Sequence, residues 1–144
     1  MDMAKAISQL SKDIQTKVGA VLVNPRGRQI ASGYNGFCRG ANDDELPKTR
    51  PDKYQYMIHA ETNLLYNCLD EGICTRNGII ICTLSPCDKC LRACYQSGIK
   101  TIIYDRLYQK NSNFYKEIKD INVHVNKDIV TGYTHLTLNS VKSI

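Results

Sequence analysis

Two short stretches of this sequence carry residue types that can bind a metal ion and move protons. His59-Ala60-Glu61 holds an imidazole and a carboxylate two residues apart, and Pro86-Cys87-Asp88-Lys89-Cys90 holds two thiols in C-x-x-C spacing. Zinc prefers imidazole and thiolate ligands in tetrahedral geometry, and a catalytic zinc keeps three protein ligands and an open fourth position. His59, Cys87 and Cys90 are therefore the predicted ligands of a catalytic Zn²⁺, and the chemistry they indicate is hydrolysis.

Glu61 is the predicted proton carrier of this site. Zinc lowers the pKa of water enough to make hydroxide available near neutral pH. A carboxylate two residues beyond a zinc ligand can face the reacting water without displacing a ligand. It can then accept the proton of that water and deliver it to the substrate and to the leaving group.

Each motif alone has a simpler explanation. A C-x-x-C pair can be a redox pair or half of a structural zinc site, and a single histidine is more often a packed or surface residue. A closed structural site needs a fourth ligand, for which Cys82 and Cys94 are the nearest candidates. Packing explains both of these better, and the same holds for Cys68 and Cys74. The combination of the two motifs with Glu61 favours a catalytic zinc.

The elements that position the motifs follow from hydrophobic periodicity. Both motifs open a predicted helix, where free backbone N–H groups and the helix dipole favour thiolate over thiol. The predicted elements are helices over 3–10, 59–69, 86–97 and 113–120, and strands over 18–23, 29–34, 78–83, 100–104 and 121–125.

This order of elements predicts an α/β fold, with helices on both faces of a mixed five-stranded sheet whose later strands are parallel. A single domain over residues 1–144 is expected, since a chain of this size can bury a core of its own. The loop over 35–53 is long for a compact domain, which indicates a functional role. The sequence pattern over residues 128–144 indicates neither helix nor strand.

Composition narrows the classes of function. The hydrophobic fraction of 42% and the charged fraction of 23% are typical of globular proteins. No stretch reaches the roughly 20 apolar residues of a membrane span. Seven cysteines without an export signal argue against a disulfide framework and favour the cytoplasm. The net charge of +5 fits an anionic small molecule, whereas the dispersed basic residues do not indicate a nucleic-acid partner.

The motifs resemble those of the cytidine and deoxycytidylate deaminase superfamily, because H-x-E with P-C-x-x-C is the signature of zinc-dependent deaminases. Further segments are similar to the deoxycytidylate (dCMP) deaminase branch in order and spacing, over roughly residues 1 to 125. These segments are 11–13, 18–20, 33–36, 59–63, 85–90 and 98–100, with Tyr104 and Tyr108, and 43–47 and 53–56 resemble a loop of eukaryotic members.

The resemblance implies a cytidine-deaminase-like three-layer α/β/α fold and a hydrolase acting on the amidine C–N bond of a cytosine nucleotide. This enzyme would convert dCMP to dUMP and ammonia for thymidylate synthesis. Deamination of dCTP, also or instead, is the nearest alternative, and a non-catalytic zinc-binding module is another. One zinc per subunit is expected, because Asp13 stands where members with an extra structural zinc have a cysteine. A homo-oligomer, commonly a hexamer, and the effectors dCTP and dTTP are also implied, although Cys38 replaces a proline common in the regulatory loop.

The resemblance also implies which residues contact the nucleotide. Asn35 would hold the sugar, unless it is only a turn residue, and the backbone carbonyl of Ser85 would orient the amino group. Tyr108 would lie beside the nucleotide and Ser11 near its phosphate. Lys17 is a nearby cation that could bind phosphate or be a solvated surface charge. The predicted substrate-binding set is Asn35, Ala60, Ser85, Tyr108, Ser11 and Lys17.

Overall fold

The computed structural model describes residues 1–108, residue 115 and residues 118–139. The predicted elements before residue 107 begin and end within two residues of their predicted bounds, whereas half of the predicted helix over 113–120 lies outside the described residues. The elements are α1 (Asp2–Ser8), β1 (Gly19–Val23), β2 (Gln29–Tyr34), a 3-10 turn η1 (Asp52–Gln55), α2 (Ala60–Asp70), β3 (Ile79–Leu84), α3 (Asp88–Gln96), β4 (Thr101–Arg106), β5 (Asn122–Lys127) and β6 (Thr134–Asn139).

The central sheet has six strands in the order β2-β1-β3-β4-β6-β5. Only β3 and β4 pair in parallel among these strands, and all other neighbours are antiparallel. The prediction of five strands was therefore wrong in number. The predicted later strands β3, β4 and β5 do run in the same direction, but β5 does not pair with β4. The unassigned tail contributes β6, which lies between β4 and β5 and runs antiparallel to both. The physical reason is the alternation in this segment, which buries Leu136 and Leu138 on one face.

Two glycines define the layers on either side of the sheet. Gly19 pairs with Tyr34, and Gly33 pairs with Ala20, so the two glycines face opposite sides of the β1–β2 ladder. A side chain at Gly19 would meet the backbone of α1, and a side chain at Gly33 would meet the first turn of α2. Since α2 also contacts α3, the architecture is α1 on one face and α2 with α3 on the other.

The core lies between these layers. Leu22, Ile80, Ile102 and Leu136 are fully buried along the sheet, where they pack with Leu64 of α2. Among the described residues, no helix has both the length and the apolar character that a membrane crossing requires.

The cysteines outside the two motifs divide into core and surface. Cys68, Cys82 and Cys94 belong to the hydrophobic core, as their positions in the sequence predict. Cys74 is exposed, so the prediction that it packs as a small apolar residue was wrong. It lies in the connection between α2 and β3.

Candidate active site

The amino-terminal ends of α2 and α3 bring the two motifs together. His59 is the N-cap of α2 and Cys87 is the N-cap of α3, and both have extended backbone geometry. Cys90 lies in the first turn of α3, and its backbone N–H donates to Sγ of Cys87 over 3.5 Å. Gly33 allows this arrangement, because a Cβ there would lie 2.6 Å from the carbonyl oxygen of Ala60.

The side chains of His59, Cys87 and Cys90 form a set of ligands with the spacing that zinc requires. Their ligand atoms all lie within 4.8 Å of one another. Nδ1 of His59 is 3.5 Å from Sγ of Cys87 and 3.4 Å from Sγ of Cys90. Tetrahedral zinc with bonds of about 2.3 Å to sulfur and about 2.0 Å to nitrogen places these atoms about 3.5 Å apart. The residues therefore fit a zinc ion without rearrangement.

The ionisation of the thiols also suits a metal. A hydrogen bond from the Cys90 thiol, with contributions from His59 and against the effect of burial, lowers the pKa of Cys87 to about 4. The pKa of Cys90 is raised, because its proton is held by the sulfur of Cys87. The hydrogen bond to Cys87 likewise raises the pKa of His59. The hydrogen bond thus favours a thiolate on Cys87, and coordination by both sulfurs requires the proton of Cys90 to leave.

The ligand set is open rather than closed within the part of the chain that the structure describes. No fourth histidine, cysteine or carboxylate there joins the group of three. Cys82 and Cys94 are buried in the core, and burial raises the pKa of both thiols well above the ordinary value. Three ligands and a free position are the arrangement of catalytic zinc sites.

Glu61 is placed where a proton carrier is needed. It is the second residue of α2, its residue surface is only 4% exposed, and it lines the same cavity as His59 and Cys87. Burial raises the pKa of its carboxyl group. A carboxyl group whose pKa is raised toward neutrality can both accept and return a proton.

Four of the six predicted substrate-binding residues line this cavity. They are Asn35, Ala60, Ser85 and Tyr108. Ala60 lies between the ligand and the carboxylate at the start of α2, and Ser85 follows β3.

Asn35 is largely occupied by contacts within the protein. Its Nδ2 donates to the carbonyl oxygen of Thr16 over 2.8 Å and to Oδ2 of Asp13 over 3.2 Å. Its Oδ1 accepts from the backbone N–H of Val18 over 2.8 Å. The amide thus fixes the loop before β1 against the end of β2, and only the second lone pair of Oδ1 remains for a ligand.

Ser85 connects the start of the C-x-x-C motif to the residues at the end of β4 and just after it. Its backbone N–H donates to the carbonyl oxygen of Arg106 over 2.8 Å, and its Oγ accepts from the backbone N–H of Tyr108 over 2.8 Å. The Tyr115 hydroxyl donates to the carbonyl oxygen of Pro86 over 3.2 Å. Sequence reasoning missed Tyr115, since nothing in its neighbours in the chain indicates a contact with the C-x-x-C loop.

Ser11 and Lys17 are not brought to the cavity. Ser11 is buried, and its hydroxyl donates to the carbonyl oxygen of Asn35 over 2.7 Å and accepts from the backbone N–H of Asp13 over 3.2 Å. Lys17 is exposed, and its Nζ reaches the carbonyl oxygen of Gln9. It lines a separate surface pocket beside α1. The reason in both cases is that the loop before β1 turns these side chains away from the cavity.

Five further residues, none of which was predicted to bind substrate, also belong to the cavity wall. They are Asp13, Thr16, Arg50, Lys53 and Tyr54. The guanidinium of Arg50 donates to Oγ1 of Thr16 over 2.6 Å. The similarity of residues 53–56 to a family loop was the signal that could have drawn attention to this wall.

Comparison with known proteins places this geometry in a family. A deoxycytidylate deaminase from Pongo abelii is 36% identical over 110 residues, which cover 72% of this chain and 61% of that protein. The chain therefore spans about three fifths of the length of this relative. A deoxycytidylate deaminase of Enterobacteria phage T2 is 29% identical, with 82% of this chain and 84% of the relative covered.

A solved structure gives the same result. A dCMP deaminase from the cyanophage S-TIM5, crystallised with dCMP and dUMP, superposes with a TM-score of 0.68 at 30% identity. The match covers 78% of this chain and 82% of that protein. It confirms the predicted cytidine-deaminase-like α/β/α fold, apart from the number of strands.

The family model described as the cytidine and deoxycytidylate deaminase zinc-binding region matches residues 1–106, a span that includes both motifs. Because this span is most of the chain, the protein belongs to the cytidine and deoxycytidylate deaminase family, whose cofactor is zinc.

Proposed function

We propose that this protein is a zinc-dependent deaminase that hydrolyses dCMP to dUMP and ammonia. The observation that carries the proposal is the convergence of His59, Cys87 and Cys90 within 4.8 Å at a cavity that Glu61 also lines. The relatives named above support the choice of substrate, since they are deoxycytidylate deaminases and one was crystallised with dCMP and dUMP.

Zinc, when held by His59, Cys87 and Cys90, would supply Lewis acidity for the attack of water on the ring carbon that bears the amino group. Glu61 would accept a proton from the attacking water and donate it to the adjacent ring nitrogen. It would then transfer the second proton of the water to the amino group as the C–N bond breaks. Water and the cytosine ring together thus give a uracil ring and ammonia.

Two residues are proposed to orient the nucleoside. The backbone carbonyl of Ser85 would accept a hydrogen bond from the amino group, and Oδ1 of Asn35 would accept one from a sugar hydroxyl. Ala60, between the ligand and the carboxylate, would pack against the base. Each of these residues lines the cavity, and the remaining lone pair on Asn35 supports its role.

The phosphate is proposed to bind near Arg50 and Tyr108, at the solvent-exposed edge of the cavity, which we call its mouth. Arg50 makes no ion pair with any carboxylate of the described residues, so its charge is available to an anion. A hydrogen bond with Tyr54 raises the pKa of the Tyr108 hydroxyl, and Arg50 opposes this shift, so the three groups lie close together. A guanidinium and two hydroxyl groups are suitable donors to a phosphate. Arg50 thus takes the role that the sequence assigned to Ser11 and Lys17.

The alternatives are less well supported. A dCTP deaminase is not favoured, because the relatives above act on dCMP according to their names. A non-catalytic zinc module would not need Glu61 buried beside the ligands at an open cavity. We further propose that residues 1–144 form one cytoplasmic domain that assembles as a hexamer and responds to dCTP and dTTP.

Ammonia release from the zinc-loaded protein tests the substrate assignment. The substrates to compare are dCMP, dCTP, deoxycytidine and cytidine at equal concentration. We expect kcat/KM for dCMP to exceed that for deoxycytidine at least about tenfold, because several charge-assisted contacts hold the phosphate. Equal efficiency with dCMP and deoxycytidine would remove the nucleotide assignment, and a preference for dCTP would replace it with the nearest alternative.

A further inference from the structure

A fully buried ion pair lies in the wall of the cavity. Nζ of Lys53 donates to Oδ2 of Asp13 over 2.6 Å, and the two side chains are only 3% and 2% exposed. Both residues line the cavity. Removing two charges from water is costly, so such a pair is weak evidence for stability and better explained by the geometry that it fixes.

Asp13 organises the loop before β1. Its Oδ1 accepts from the backbone N–H groups of Gln15 over 2.8 Å and Thr16 over 3.0 Å, and its Oδ2 also accepts from Nδ2 of Asn35. Burial alone would raise the pKa of this carboxyl group. The hydrogen bonds from Lys53 and from the backbone of Thr16 and Gln15 outweigh burial and hold the pKa below its usual value. Asp13 is therefore a carboxylate at neutral pH, with four donors around it.

Lys53 joins the turn η1 to the ion pair. It lies in η1, its backbone N–H donates to the carbonyl oxygen of Thr49 over 3.0 Å, and its own carbonyl accepts from the N–H of Met57 over 2.9 Å. Tyr54, the next residue, takes part in the hydrogen-bonded group with Tyr108. The ammonium group of Lys53 thus ties the whole turn to Asp13.

Arg50 donates hydrogen bonds to the two residues whose backbone N–H groups bind Asp13. Its backbone N–H donates to Oε1 of Gln15 over 2.9 Å, and its guanidinium donates to Oγ1 of Thr16 over 2.6 Å. Gln15 and Thr16 are the residues whose backbone N–H groups bind Asp13. One carboxylate therefore determines the position of both the turn that carries Tyr54 and the surface that receives Arg50.

We propose that the Asp13–Lys53 ion pair positions Arg50 and Tyr54 at the cavity mouth and thereby sets the preference of the site for a nucleotide over a nucleoside. The identity of the ligand rests on the function proposed above. Neither member of the pair touches the reacting atoms, so both are positioning residues. The pair should therefore affect the binding of the phosphate and leave the hydrolytic step and the metal unchanged.

The variant that tests this is Lys53→Met, which removes the cation at similar length while Asp13 keeps its three other donors. Lys48→Met is the matched control, because Lys48 forms a surface ion pair with Asp44 in the same loop, at 3.6 Å. The measurement is the equilibrium binding of dCMP and of deoxycytidine by calorimetry to zinc-loaded proteins that also carry Glu61→Ala, so that the substrate is not consumed. Zinc content and kcat at saturating dCMP are determined on the same Lys53 and Lys48 variants with Glu61 intact.

We expect Lys53→Met to weaken dCMP binding about tenfold or more, since charge-assisted contacts to the phosphate are displaced. Deoxycytidine binding, zinc content and kcat should change by less than about twofold, because no group that meets the nucleoside or the metal is removed. Lys53→Arg should recover most of the dCMP affinity by restoring the charge. An equal loss for dCMP and deoxycytidine, or no loss for either, would overturn the proposal.

The double variant Asp13→Asn/Lys53→Met keeps the test decisive if Lys53→Met does not fold, because it leaves no buried charge without a partner. A larger loss for dCMP than for deoxycytidine is expected from it. Some loss for deoxycytidine follows from the change at Asp13, which also accepts from Nδ2 of Asn35. Wild-type protein that binds dCMP more tightly than deoxycytidine but releases no ammonia would contradict the proposed reaction and not this inference. Equal binding of dCMP by the wild type and both variants would contradict this inference and not the reaction.

Discussion

Nδ1 of His59 lies 3.5 Å from Sγ of Cys87, although the two residues are 28 positions apart in the chain. Each is the N-cap residue of a helix, and the amino-terminal ends of these helices, α2 and α3, meet beside the cavity. Helix N-termini stabilise negative charge, which favours the thiolate form of Cys87. Glu61 lies two residues after His59, in the first turn of α2.

Replacement of a thiol ligand should remove zinc and activity together. Cys87→Ser or Cys90→Ser leaves two ligands from the set of three, and the affinity for the metal depends on a complete set. We expect zinc per subunit and ammonia release to fall in parallel, as measured by atomic absorption and a coupled ammonia assay. Cys74→Ser, at an exposed position away from the site, is the control and should retain both. Full zinc content in Cys87→Ser would show that another residue is the ligand.

A side chain at Gly33 should destabilise the protein. A Cβ there would lie 2.6 Å from the carbonyl oxygen of Ala60 and would also clash with the backbone N–H of Leu64. Backbone cannot move away as a side chain can, so we expect Gly33→Ala to lower the free energy of unfolding by about 2 kcal/mol or more. Gly36→Ala is the control, because its nearest neighbour would be a Tyr34 ring atom at 3.6 Å. Denaturant unfolding that shows equal stability for the two variants would contradict the close packing of α2 on β2.

The buried carboxylate of Asp13 predicts a dependence of stability on pH. Its folded-state pKa lies below the ordinary value of 3.8, so the unfolded chain binds the proton more readily. Its contribution to stability is therefore fully present above pH 3.8 and is lost as the pH falls through the lower folded value. We expect the difference in free energy of unfolding between wild type and Asp13→Asn to be constant near neutral pH. It should shrink below about pH 4, and a difference independent of pH down to about pH 2 would contradict the assigned ionisation.

The motifs and the elements that carry them could be predicted from sequence because both signals are local. An apolar run such as residues 79–82 is recognisable as a buried strand, and the start of α3 is marked by Pro86 before the first cysteine of the C-x-x-C pair. The strand β6 was missed because only Leu136 and Leu138 mark its buried face, and a short alternation of this kind is a weak signal.

The part of the cavity wall that we propose binds the phosphate could not be predicted, because its contacts join residues that are distant in the chain. Asp13 and Lys53 are 40 residues apart, and neither has neighbours that indicate a buried ion pair. Ser11 and Lys17 were chosen because they flank the turn into β1, but position along a loop does not determine which side chains point into a cavity. Arg50 was not singled out, since a lone arginine in a polar loop looks like any solvated charge.

The most direct test of the proposed chemistry compares wild type with Glu61→Ala in a time course of ammonia release from dCMP, with zinc measured in both proteins. The substitution removes the proton carrier and leaves His59, Cys87 and Cys90 in place. We expect the wild type to release one ammonia for each dUMP formed. The variant should keep its zinc and fold but lose at least about 10²-fold in kcat, the usual contribution of a positioned acid–base group. A zinc-replete Glu61→Ala protein with a rate near that of the wild type, or a zinc-replete wild type that releases no ammonia, would contradict the account.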